Sequence, residues 1–558
     1  MMHDQIKSRL NKLYSPEQVT ILCNALEARL ESAKAEFADL PQTKWSEKDA
    51  ILITYGDSVK REGEVPLKTL TDFVRTHLGD AVSLVHILPF FPFTSDDGFS
   101  ISDYEAVRPD LGNWEDVKSL NESHDLMFDL VLNHCSASHK WFRQLLEDEA
   151  PGKDYFVTES PETDLSGVVR PRTHPLLTAF DTAAGTRHVW TTFSADQVDV
   201  DFRNPDVLLA YLDLLLLYVR RGTRMIRLDA IAYLWKETGT DCIHLWQTHE
   251  VVKLMRDVLE WVAPGVILLT ETNVPHAENV SYFGDGDEAR MVYQFPLPPL
   301  LLHGLRRGSA ERLTTWASEL EAPPAGCSFF NFTASHDGVG VRPLEGLVPM
   351  EEVKALAEEI RSLGGKVNER MHPDGSTTPY EINSSYFSAM RKEGDTDAMH
   401  CQRFLLSQTV PMCLQGIPAF YIHSFTATEN DLEGLARTGQ NRSINRKQWD
   451  LSALEELLSQ EESDAAFVLR VLTRRLKLRA ALPDFHPDVP QEILSLHPSV
   501  FALRRNSILA LHNFSDEAVV VPVKGAAVLM SDPGCGLKGE IVEMSPCSVM
   551  WIRCAATA

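Results

Sequence analysis

The chain has 558 residues, with 53 Lys and Arg against 79 Asp and Glu and a formal net charge of -26, so it repels nucleic acid and anionic membrane surfaces. Hydrophobic residues make up 44% and charged residues 24%, ordinary globular usage that excludes wholesale disorder. Arginine outnumbers lysine 34 to 19, an acidic, lysine-poor balance that suits a salty habitat as well as an ordinary cytoplasm.

In chain order, the residues up to about 45 read as polar helix, with no basic stretch and apolar core of a leader at the start. Strands are then expected at residues 50–55, 82–88, 126–132, 225–229, 266–271, 291–295, 328–335 and 419–423. Helical periodicity fills gaps between them, as at residues 206–221 and 249–262. Eight such units in alternation predict an α/β fold, a closed (β/α)8 TIM barrel with its site at the strands' C-terminal ends. Residues 137–205 and 339–400 are too long for single helices and read as inserted subdomains that shape a pocket. Past about residue 480, short strands at 500–503, 508–512 and 518–523 predict a C-terminal β-sandwich. The expected division is therefore 1–136 for a helical extension and first barrel half, 137–205 for an insertion and 206–338 for more barrel. A second insertion at 339–400, the barrel end at 401–480 and a β domain at 481–558 complete it.

The longest apolar stretch, Leu208 to Val219, is broken by Asp213 and falls short of the roughly 18–20 residues of a membrane helix. Nine cysteines are scattered singly from Cys23 to Cys554 without a CxxC pair, which predicts free thiols in a reducing cytoplasm and no zinc site.

Carboxylates stand at the ends of three strands, in Arg227-Leu228-Asp229-Ala230, Thr270-Glu271-Thr272-Asn273 and Ser335-His336-Asp337-Gly338. A lone Asp after a strand is ordinarily a turn or cap residue; three at barrel mouths call for another reason. Arg227 lies two residues before Asp229 and so shares its face, where a guanidinium favours the ionised carboxylate. A second carboxyl kept protonated in a less polar spot can donate to a leaving group. One ionised and one protonated carboxyl are what retaining glycoside chemistry needs.

Those three segments, with Asp129-Leu130-Val131-Leu132-Asn133-His134 before them, resemble the four ordered motifs of the α-amylase superfamily. Finer features resemble its sucrose-phosphorylase branch: Ile53-Thr54-Tyr55-Gly56-Asp57, His86-Ile87-Leu88-Pro89-Phe90-Phe91, Asp96-Asp97-Gly98-Phe99, Arg170-Pro171-Arg172, the run from Phe295 to His303, and Gly439-Gln440-Asn441-Arg442-Ser443-Ile444-Asn445-Arg446. The resemblance implies Asp229 as nucleophile, Glu271 as general acid/base and Asp337 as transition-state stabiliser. It implies that Asp96, His134, Arg227, His336 and Arg442 bind the glucosyl unit. Arg172 is the candidate phosphate cation and Tyr380 a hydroxyl donor beside it. The implied reaction is phosphorolysis of an α-glucoside to α-glucose 1-phosphate by double displacement. Inorganic phosphate is the co-substrate, and no cofactor or metal is expected.

Departures from the pattern bear on the acceptor. Ile231-Ala232-Tyr233 stands where amylases carry Lys-His, so a polymer substrate is not expected. Thr377-Thr378-Pro379-Tyr380-Glu381 and Val169 differ from sucrose enzymes, which weighs against fructose. The neutral tip Ser376-Thr377-Thr378, followed by Glu381 and by the acidic residues 428–433, favours an uncharged polyol. The expected donor is 2-O-α-glucosylglycerol. Glucosylglycerate is the alternative, with Arg172, Arg370 or His372 meeting its carboxylate. Sucrose, sucrose 6'-phosphate and plain α-glucosidase action follow. A non-catalytic, transporter-associated relative should have lost the three carboxylates, which are all present.

Overall fold

The computed structural model describes residues 4–42, 44–172, 174–371, 376–523 and 527–554. Eight parallel strands close a barrel: β1 (Ile51–Thr54), β2 (Leu84–Ile87), β3 (Asp125–Val131), β4 (Thr223–Asp229), β5 (Ile267–Thr270), β6 (Met291–Tyr293), β7 (Ser328–Phe332) and β8 (Ile417–Tyr421). Each pairs with its chain neighbour, and β8 returns to β1 with Ala419 opposite Ile51. The strands are almost wholly buried, as parallel strands must be when helices cover the outside and side chains fill the inside. All eight overlap the segments expected from sequence. Most end earlier than expected, because the terminal residues leave the ladder to line the mouth.

Helix Pro205–Arg220 begins at an N-cap, Asn204, whose side chain accepts from the Asp206 amide, with proline in the first turn. The expected helix at 249–262 starts earlier, at Trp246. Its first turn opens on an exposed tryptophan and a glutamine, which an apolar-periodicity reading passes over. Two N-terminal helices, Asp4–Leu13 and Pro16–Glu36, pack on the barrel's outer helices. Arg9 pins the first of them through Asp257 at 3.1 Å and Asp287 at 2.8 Å.

Residues 137–205 carry a helix, Lys140–Glu147, a hairpin of Leu177–Thr182 with Gly185–Trp190, and strand Gln197–Asp199. The last pairs antiparallel with His134–Ser136, just beyond β3. Residues 339–400 contribute helix Met350–Ser362 and a sheet in which Thr377–Asn383 lies between Val339–Gly340 and Lys366–Met371.

Toward the C-terminus, a five-stranded sheet (strands from Gln491 to Arg553) faces a three-stranded one built on Val519–Pro522 and Ile541–Met544. Alternation divides the larger sheet's side chains. Val500, Ala502, Leu509 and Leu511 pack against the small sheet, while Phe501, Leu503, Ala510 and Trp551 join the barrel's core. Among the described residues no helix is long and apolar enough to cross a membrane.

Candidate active site

Eleven of the residues singled out from sequence line one pocket at the C-terminal mouth of the barrel, enclosing about 860 Å³ including its opening. They are Asp96, His134, Arg172, Arg227, Asp229, Glu271, His336, Asp337, Tyr380, Glu381 and Arg442.

Strand register builds the floor. Asp129 on β3 lies opposite Arg227 on β4, and Arg227 opposite Leu269 on β5, two residues before Glu271. The Arg227 guanidinium, 3% exposed, donates to Asp129 and, at 2.8 Å, to Asp229 Oδ1; Glu271 Oε2 is 3.8 Å from it. His86 on β2 holds the far oxygen of Asp129 at 2.6 Å. Burial raises Asp129, but Arg227 and His86 outweigh it and bring its pKa down to about 2. The anion behind Arg227 is therefore permanent, and the guanidinium is fixed between two carboxylates.

Asp229 and Glu271 are both pushed above the ordinary carboxyl range, chiefly by burial; Arg227 opposes the rise at each. Arg227 favours the ionised Asp229 as expected from sequence, but desolvation outweighs it. The two carboxyls titrate as a pair. The direct hydrogen bond from Arg227 favours the negative charge on Asp229 over Glu271, which Arg227 reaches only at 3.8 Å. Ala230, in the left-handed region at φ +48°, turns its amide back to donate to Glu271 Oε2 at 3.1 Å. A non-glycine residue held there costs on the order of 1–2 kcal/mol, and here it joins the two carboxylates through one backbone turn.

The sugar-facing wall joins distant segments. Asp96 and Asp97 occupy a left-handed turn that closes only because Gly98 follows; a Cβ there would sit 2.7 Å from the Pro89 carbonyl oxygen. Gln197 donates to Asp96 Oδ2 at 3.0 Å and lies 3.1 Å from His134 Nε2. Phe99 stacks on the His336 ring at 4.9 Å. Burial lowers both histidines, His336 to about 3, so His336 meets a substrate as neutral imidazole.

Across the mouth, Arg442 bridges the barrel to the second insertion. Its Nη1 is 2.6 Å from Asp337 Oδ1, and its other two nitrogens grip both oxygens of Glu381 at 2.9 and 2.8 Å. Burial raises Asp337, yet Arg442, His336 and Arg446 hold it well below the usual carboxylate range. Asn445 donates to the Asp337 carbonyl at 3.0 Å and Arg446 to that of His336 at 2.8 Å, so the segment 442–446 positions both residues of that motif.

The pocket lining also carries Pro171, Arg172, Phe193, Tyr233, Asn273 and Tyr380. No ion pair or hydrogen bond engages Arg172 among the described residues, although its charge is felt at the hydroxyls of Tyr233 and Tyr380. Two premises of the neutral-acceptor argument change here. Glu381, 4% exposed, faces Arg442 with its charge matched. Glu429, Asp431 and Glu433 do not line the pocket; Asp431 caps helix Leu432–Thr438 instead. Arg370 is exposed on Lys366–Met371 and also lies off the pocket lining. His372 falls outside the described residues.

Sequence reasoning missed Gln197, Phe99, Phe193, Asn273 and the supporting pair His86 and Asp129. For Asp129 and His86 a signal existed, since both stand in the quoted strand motifs. Gln197 and Phe193 sit inside the first insertion, where only the folded contacts reveal them.

Barrel, paired carboxyls and buried guanidinium together fit an enzyme of the glycoside-cleaving (β/α)8 class. The α-amylase catalytic-domain family matches residues 75–318. The chain is 41% identical over 561 residues to a glucosylglycerate phosphorylase of Escherichia coli K12, covering 99% of this chain and 100% of that one. It is 46% identical over 507 residues to a glucosylglycerate phosphorylase of Allomeiothermus silvanus, covering 90% of each. A glucosylglycerol phosphorylase of Marinobacter adhaerens is 26% identical over 452 residues, covering 78% of this chain and 87% of that one. The chain belongs to the α-amylase superfamily, in its sucrose-phosphorylase-like branch of glycoside phosphorylases.

Proposed function

We propose that the chain phosphorolyses glucosylglycerate to α-glucose 1-phosphate and glycerate. Asp229 attacks the anomeric carbon as the bond to the glycerate oxygen breaks, and the Glu271 proton passes to that oxygen. Asp337, held ionised, and Arg442 grip sugar hydroxyls in charge-assisted hydrogen bonds, alongside Asp96 and the two histidines. The resulting β-glucosyl ester on Asp229 then meets phosphate. A phosphate oxygen attacks as the ester bond breaks, and the Glu271 carboxylate takes the phosphate proton. Two inversions give net retention.

The observation that carries the acceptor is the charge distribution around Arg172. Glu381 is matched by Arg442, and Arg172 on the pocket wall has no acidic partner among the described residues. An oxyanion supplies that partner, phosphate in one half-reaction and the glycerate carboxylate in the other. This weighs against the glucosylglycerol reading, two of whose supports, an unmatched Glu381 and the acidic residues 428–433, do not face the pocket as free charges. The two glucosylglycerate phosphorylases at 41% and 46% identity favour the same acceptor. Initial rates of α-glucose 1-phosphate formation from glucosylglycerate, glucosylglycerol and sucrose test the reading. The highest kcat/KM is expected with glucosylglycerate. A higher value with glucosylglycerol overturns the carboxylate assignment, and release of free glucose in place of the phosphate ester overturns phosphorolysis.

A further inference from the structure

Arg342 opens a short turn, Arg342–Leu344, directly after the strand Val339–Gly340 that follows the His336-Asp337-Gly338 motif. The turn is tied to the pocket wall because the Val341 amide donates to the Tyr380 carbonyl at 3.1 Å. Nearby arginines of the same insertion and the helices under it are matched: Arg361 pairs with Glu358 and Glu369, Arg306 with Glu359, and Arg312 with Glu352. Arg342 is different. Its Nε is buried without a hydrogen-bond partner, and among the described residues no carboxylate forms an ion pair with it. A buried donor left unmet is costly, and such a group next to a binding pocket calls for an anion that arrives with the substrate.

Its place relative to the pocket is set by that Val341–Tyr380 backbone bond, since Tyr380 lines the pocket and Arg342 follows Val341 at its edge. Burial raises the phenols of Tyr233 and Tyr380, and the charges of Arg342 and Arg172 both oppose that rise. Both phenols line the pocket with Arg172. Neither guanidinium has an acidic partner among the described residues; Arg172 lines the pocket, and Arg342 stands beside it, one residue beyond the Val341–Tyr380 backbone bond.

We propose that Arg342 is a specificity residue that reads the carboxylate of the leaving hydroxy acid, while Arg172 serves phosphate. This rests on the glucosylglycerate reading and divides its two anions between two cations. A single cation would have to release one anion before taking the other. Two allow the enzyme to tell a small hydroxycarboxylate from a neutral polyol of the same size without weakening phosphate.

Arg342→Gln and Arg342→Lys, assayed with α-glucose 1-phosphate and either glycerate or glycerol, test this. An ionic hydrogen bond is worth enough that R342Q should lower the glycerate-to-glycerol ratio of kcat/KM by about 10- to 100-fold. R342K should recover part of the ratio, and the KM for phosphate should move far less than that for glycerate. Turnover of α-glucosyl fluoride reports that the variants still fold and form the glucosyl enzyme; a variant that fails it is replaced by R342M under the same criteria. An unchanged ratio in a wild type that prefers glycerate overturns this inference alone, as does an equal rise in both KM values. A wild type that prefers glycerol overturns the proposed function and this inference with it.

Discussion

Burial raises the pKa of both Asp229 and Glu271 and resists a second negative charge, while Arg227, which reaches both, opposes the rise. Cleavage in this account needs Asp229 ionised and Glu271 protonated. A carboxyl whose pKa is raised keeps its proton to higher pH, so the alkaline fall in kcat/KM for the glucoside should lie above the ordinary glutamate value of about 4.3. By the same sign, the acid fall comes when Asp229 also takes a proton, and it too should lie above the usual aspartate range. Glu271→Gln should cost about 10²–10⁴-fold with glucosylglycerate and remove the alkaline limb from what remains. It should cost far less in the glucosylation step with α-glucosyl fluoride, whose leaving group needs no proton. A pH–rate profile of wild type and E271Q checks both points, and an unaltered alkaline limb in E271Q would move the acid role elsewhere.

At the scale of elements, the site depends on how closely the second insertion lies against β7 and its motif. A Cβ at Gly338 would stand 2.6 Å from Glu381 Cγ and 2.7 Å from the Ile382 carbonyl oxygen. The first contact can yield; the second is backbone and cannot without moving the strand Thr377–Asn383. Gly338→Ala should therefore loosen the Arg442 bridge between Asp337 and Glu381. We expect kcat/KM to fall on the order of 10²-fold, as for an angstrom-scale misplacement, with little change in thermal unfolding. Kinetics beside a melting curve separate this from general destabilisation.

The strands of the barrel were legible because each is a short apolar run ending at a polar corner, a local signal. Their ends were less so. Residues 333–335 look like a continuation of β7, yet they bend over the mouth, where Asn445 donates to the Ser335 carbonyl at 3.3 Å. That the three strand-end carboxylates meet in one pocket was legible from motif and position, whereas the meaning of Glu381 was not. Its partner, Arg442, lies 61 residues away, and read alone an acid beside the acceptor loop looks repulsive. Gln197 meets Asp96 across 101 residues and His134 across 63, contacts that no local pattern announces.

For the whole molecule, the net charge of -26 makes a cation-lined recess informative. An acidic surface keeps anionic substrates at a distance, so the pocket must supply its own positive charge where phosphate and the acceptor enter. Arg172 of the first insertion lines it, and Arg342 of the second, the proposed reader of the carboxylate, stands beside the lining residue Tyr380, while the barrel carries the three carboxylates. Specificity therefore belongs to the insertions and reaction type to the barrel. The most direct test of that division is a competition: equal concentrations of glycerate and glycerol with α-glucose 1-phosphate, with the two glucosides resolved by NMR. The account predicts glucosylglycerate in large excess; glucosylglycerol as the main product would contradict it.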